Sequence, residues 1–80
     1  PNFSLMDKTI FERTNFVRIK QRIYKHIATG NYWYYDFFHD TNKKHFEVFD
    51  TQGVHLGEAS VDGTLDTTKA DDQKRIDHII

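Results

Sequence analysis

Between Tyr32 and Ala59 the chain changes direction so often that only short antiparallel strands can accommodate it. The run Asn-Tyr-Trp-Tyr-Tyr-Asp-Phe-Phe over residues 31–38 is almost wholly aromatic, a composition suited to a pleated surface rather than a helix. Asp40-Thr41-Asn42-Lys43 is turn-like, and His45–Phe49 alternates in the period of a strand. Thr51-Gln52-Gly53 then reads as a hairpin turn, residues 54–59 as a third strand and Asp62-Gly63 as a further turn. Residues 65–68 fit a short fourth strand. Asp71 or Asp72 is placed to cap a closing turn or short helix that carries Lys74, Arg75 and Ile76. Residues 31–80 are therefore expected to form a β-meander ending in a turn or short helix.

The first thirty residues have a different pattern. Ser4 and Asp7 are spaced like a capping box, with Asp in the place of Glu. Phe16, Ile19, Ile23 and Ile27 recur at helical spacing with Val17 and Tyr24 beside them, and Arg18, Arg22 and Lys25 fall on the opposite side. Thr29-Gly30-Asn31 is a stop signal, with Gly30 as a left-handed cap. Whether one helix or two, broken near Thr14-Asn15, stays open. The expected architecture is α+β: an N-terminal helical segment over residues 1–30, packed on a small twisted antiparallel sheet in one domain of 80 residues.

Composition narrows the class. Seven Phe, four Tyr and one Trp provide a core that a disordered chain would lack. Cysteine is absent, so disulfides and thiolate metal sites are excluded. No apolar run approaches the roughly 20 residues that span a bilayer, and stable membrane insertion is not expected. The chain begins at Pro1 without an initiator Met, as expected of a piece of a longer protein or a processed chain. Residues 1–30 hold six basic and two acidic side chains, and residues 31–80 hold five basic and ten acidic ones. Such asymmetry fits a solvated basic face or a nucleic-acid footprint.

The side chains able to do chemistry cluster on the meander. With Thr41-Asn42 as a two-residue loop, Asp36 lies directly opposite Glu47. Two facing carboxylates repel, and a site that needs one pKa raised toward neutrality would justify that arrangement. A register one residue different puts them on opposite faces; both remain open. His39 and His45 flank the same turn. Asp36, His39, His45 and Glu47 are admissible metal ligands, but their spacing matches no zinc pattern, and neither metal nor cofactor is expected. Ser4 and Ser60 lie in no nucleophile elbow, and no glycine loop is shaped for phosphate.

Carboxylate, histidine and arginine without a nucleophilic side chain suit RNA cleavage, because the substrate brings its own nucleophile, the 2′-hydroxyl. The protein then supplies a base, an acid for the 5′-oxygen and a cation for the charged transition state. Glu47, His39 or His45, and Arg75 fit these roles, with Lys43, Lys44, Lys69 and Lys74 available to hold phosphates. Arg75 is equally placed to pair with Asp71, Asp72 or Asp77.

These residues also carry a resemblance. Asp36-Phe37-Phe38-His39, Phe46-Glu47-Val48, Gly53-Val54-His55-Leu56-Gly57 and Asp72-Gln73-Lys74-Arg75 together resemble the C-terminal ribonuclease domain of the ribosome-inactivating colicins and cloacin. The match covers about residues 33 to 77, and its most specific piece is Gly-Val-His-Leu-Gly. The resemblance implies a small twisted antiparallel sheet and a nuclease that cuts small-subunit ribosomal RNA at the decoding site. It implies catalytic roles for Asp36, His39, Glu47 and Arg75. It also implies a cognate immunity protein, so the domain would be a monomer or a heterodimer with its inhibitor. The N-terminal third looks like the variable packaging of toxin tips in contact-dependent growth inhibition systems. Such tips ride on secreted or surface carriers and act in the target cell's cytoplasm. Two other classes stay in view: a non-catalytic immunity or antitoxin module, for which the acidic C-terminal half would suit a basic partner, and a messenger-RNA interferase.

Overall fold

The computed structural model describes residues 3–36 and 44–80. Six strands follow one another across a single antiparallel sheet: β1 (Phe11–Arg18), β2 (Gln21–His26), β3 (Tyr32–Asp36), β4 (His45–Phe49), β5 (His55–Ala59) and β6 (Leu65–Asp66). A 3-10 turn at Thr67–Lys69 follows β6 and is the one helical element among the described residues. The architecture is therefore nearly all β, and the expected α+β fold with an N-terminal helical segment is corrected: residues 11–26 form a hairpin.

The apolar spacing that mimics a helix does not mark one buried stripe. Ile23 is fully buried, whereas Ile19 and Ile27 are each more than half exposed. The segment is rich in β-branched and aromatic residues, which favour strands once a sheet is there to pair with. The chain reverses at Ile19 and Lys20, both at positive φ (50° and 65°), the backbone of a tight hairpin turn without the usual Asn or Gly. A register irregularity between Arg13 and Val17 is pinned by Thr14, whose hydroxyl donates to the Ile23 carbonyl at 2.6 Å. Gly30 does adopt a left-handed φ of 76°, but in the turn joining β2 to β3. The supposed capping box is a pair of local turns: Ser4 Oγ accepts from the Met6 N–H, and Asp7 Oδ1 from the Thr9 N–H.

Each face of the sheet has its own core. The back face packs Leu5, Phe11, Trp33, Phe46, Val48 and Ala59 with Phe3 and Ile10, so the chain before β1 forms a strap across it. Trp33 lies 5.3–5.7 Å from the rings of Phe3, Phe11 and Phe46. The front face packs Ile23, Tyr34, Phe49 and Ile76, with Phe16, Tyr32, Ile79 and Ile80 around them, so the C-terminal segment forms a second strap. Alternation along β3 and β4 sends odd and even positions to these two cores, and the front core adjoins the site.

Candidate functional site

The β3–β4 register sets Tyr34 opposite Glu47 and Asp36 opposite His45. That is two residues from the register that would oppose Asp36 and Glu47, so the carboxylates share the front face but lie diagonally, with His45 directly across from Asp36. The neighbouring pair Glu47 and Glu58 adds a third carboxylate to this face.

His55 arrives there through an irregularity. The β4–β5 register shifts between Val48 and Phe49, so that Val48 faces Gly57 while Phe49 faces His55. Glu58 and His55 are three apart and would point to opposite faces of a regular strand; the extra residue, Leu56, turns into the back core and lets both face front. The two glycines of the Gly-Val-His-Leu-Gly segment permit close backbone approach. A Cβ on Gly57 would lie 2.2 Å from the Asp66 carbonyl oxygen, and one on Gly53 would lie 2.5 Å from the Asp77 nitrogen. Gly53 thus lets the C-terminal strap lie against the turn, where Ile76 N–H donates to the Gly53 carbonyl and Val54 bridges to Arg75.

At the centre sits Glu47, with no exposed surface. Its Oε1 accepts from His55 Nε2 at 2.6 Å; its Oε2 accepts from His45 Nε2 at 2.9 Å and from Lys74 Nζ at 3.3 Å. The tautomer of His55 follows from geometry: the Asp71 backbone N–H donates to Nδ1 at 3.0 Å, so Nε2 carries the proton given to Glu47. Burial pushes the Glu47 carboxyl up, but the hydrogen bonds from His45 and His55 and the charge of Lys74 outweigh it and hold the group below its ordinary value. Glu47 is therefore an anion gripped by three donors. His45 is ringed by carboxylates, Glu47 at 2.9 Å, Asp36 at 3.8 Å and Glu58 at 3.9 Å. Its side chain is 15% exposed against 1% for Glu47, so of this hydrogen-bonded pair the imidazole is the group that reaches solvent. Beside the cluster, burial pushes the Tyr34 phenol up while the Arg18 guanidinium pulls it down.

Asp36, His45, Glu47 and Lys74 are thus brought together. Arg75 is not: its side chain is 48% exposed, its Nε lies 3.4 Å from Asp77 Oδ1, and its neighbour Lys74 takes the place at Glu47. Lys44 and Lys69 line an open groove with His45, Glu58, Ser60 and Thr64. His39 and Lys43 lie outside the described residues, as does the turn expected at residues 40–43. Sequence reasoning singled out His55 only as part of a motif; its position between two glycines was the available signal. Glu58 carries no such signal, because regular alternation from His55 would turn it to the opposite face.

One ligand atom each from Asp36, His45 and Glu47 falls within 4.8 Å of the others, close enough to hold a cation. Both oxygens of Glu47, however, already accept N–H bonds, and a metal would have to displace the Lys74 ammonium from Oε2. The donor set is that of a charge-assisted hydrogen-bond network. No protein-family model, no curated protein and no solved structure matches this chain.

Proposed function

We propose that this chain is an endoribonuclease toxin domain that cleaves RNA through attack of the substrate's own 2′-hydroxyl, with small-subunit ribosomal RNA as target. The observation that carries this reading is the buried Glu47 anion holding a partly exposed histidine and a lysine on the front face of the sheet's interior strands. The resemblance of residues 33–77 to the colicin and cloacin ribonucleases supports the choice of ribosomal RNA.

In the step, the 2′-oxygen forms a bond to phosphorus as the bond from phosphorus to the 5′-oxygen breaks, leaving a 2′,3′-cyclic phosphate and a 5′-hydroxyl. His45 takes the 2′-hydroxyl proton. Glu47 fixes the ring, and with Asp36 and Glu58 it stabilises the positive charge that arrives there, as the aspartate does in a Ser-His-Asp triad. Lys74, 34% exposed, faces the charge growing on the phosphoryl oxygens. The 5′-oxygen needs a proton donor, and with His45 as the base that role falls in this proposal to His39, for which the resemblance implies a catalytic part. Lys44 and Lys69 flank the approach to His45 and hold adjacent phosphates. A nuclease of this kind requires a cognate inhibitor in the cell that makes it, and the same lysines are what an acidic inhibitor would cover.

The test is cleavage of intact ribosomes, naked ribosomal RNA and a messenger RNA in excess chelator, with mapping of the cut and of the new ends. A decoding-region cut with cyclic phosphate ends is expected. Cleavage confined to messenger RNA would reassign the target, and a chelator-dead enzyme or 5′-phosphate products would overturn the chemistry.

A further inference from the structure

The back face carries a basic and aromatic groove that the reaction does not use. Two depressions on this face meet at Leu5, Met6 and Tyr24. Lys8 and Arg13 line one of them, Arg22 and Tyr35 the other. These residues come from the N-terminal strap, β1, β2 and β3, so the fold assembles them from separate stretches of chain. Among the described residues that line either depression there are three cations and no carboxylate. The excess is notable in a chain whose net charge is −1, and it coincides with the basic N-terminal third. Lys8 and Arg13 are exposed, Tyr24 and Tyr35 half-buried, and Met6 is 71% exposed, its sulfur accepting from the Tyr24 hydroxyl at 3.1 Å.

We infer that this groove binds single-stranded RNA, as a docking site separate from the front-face cluster. The chemistry matches what a single strand offers. Cations spaced along a groove neutralise successive phosphates. Tyrosine faces accept unstacked bases without regard to sequence. Tyr24 and Tyr35 pack in part against the back core; a protein partner of acidic character would use the cations but not the tyrosine surface left outside that core, and a duplex would offer phosphates but no free base to stack. The inference deepens the ribonuclease reading, yet it concerns binding and stands or falls apart from cleavage.

The experiment is fluorescence-anisotropy binding of a labelled oligouridylate of about ten nucleotides to the whole chain across a salt series. To prevent turnover, the 2′-hydroxyls of the probe are methylated. The variants are Lys8→Ala/Arg13→Ala, both at exposed positions, and Tyr24→Leu, which keeps an apolar side chain toward the core. For the double variant we expect affinity to fall about tenfold or more and the salt slope to drop by roughly 1.4, the value for two phosphate contacts on a single strand. For Tyr24→Leu we expect a comparable loss of affinity with an unchanged salt slope. Circular dichroism and thermal melting check that both variants are folded. Equal binding by folded wild-type and variant chains would overturn the inference, as would a duplex probe binding as tightly as the single strand. If the oligonucleotide binds through these residues but no RNA is cut, the groove stands and the ribonuclease reading fails. Cleavage without dependence of binding on the groove gives the converse.

Discussion

Glu47 is the residue on which the site turns, and its burial makes its charge an acid-sensitive feature of the fold. Its carboxyl is held below the ordinary value by its donors. Such a group contributes stability that is fully present above the unfolded-state pKa and is lost as pH falls through the lowered folded one. Thermal melting between about pH 3 and 6 should therefore show an acid limb that Glu47→Gln flattens; an unchanged limb would place the acid sensitivity elsewhere. The same substitution turns an amide N–H toward His45 or Lys74, donor against donor, at a cost on the order of 1–3 kcal/mol. His55 is tied in differently, since it accepts from Asp71 and donates to Glu47 while itself buried. His55→Phe fills the space but leaves both partners unsatisfied, and we expect a destabilisation of about 2–4 kcal/mol by denaturant unfolding. A loss below 1 kcal/mol would mean that neither bond matters to the folded state.

Among the elements, the C-terminal strap decides whether Lys74 is delivered to Glu47. Arg18, at the end of β1, donates from Nη1 to the Arg75 carbonyl at 2.9 Å and lies with its guanidinium 5.9 Å over the Phe49 ring. The first hairpin is thereby tied to the segment that completes the site. Arg18→Gln should weaken hydrogen-exchange protection at the Ile76 amide, which bonds to Gly53, and slow RNA cleavage with it. Unchanged protection would remove Arg18 from that role. Little of this connection could be read in advance. The spacing of Phe16, Ile19, Ile23 and Ile27 fits a helical stripe by coincidence, because Ile19 sits in one turn and Ile27 in the next, just past the end of β2. The turn at Ile19-Lys20 carries none of the residues that announce such a turn. By contrast, β4 is visible as alternation in His45–Phe49, and Glu47 stands out as the carboxylate within it. The β3–β4 register and the Leu56 irregularity that brings His55 to the front depend on pairing partners, which no local pattern encodes. Arg75 and Lys74 are adjacent in sequence, and only the course of the strap decides which of them reaches the anion.

At the scale of the whole molecule, one six-stranded sheet is covered on the back by the chain before β1 and on the front by the chain after β6. Splitting the core in this way leaves each small cluster dependent on its strap, and it buries the Glu47 carboxylate beside the front core. The function proposed for the Glu47 network is that of an RNA-cleaving centre. Its most direct test is the rate of RNA cleavage on intact ribosomes by the wild-type chain and by Glu47→Gln, measured where melting curves show both to be folded. The wild type should cut, and the variant should be slower by about 10²–10⁴-fold. A folded Glu47→Gln chain that cuts at the wild-type rate, or a wild-type chain that cuts no RNA, would contradict it.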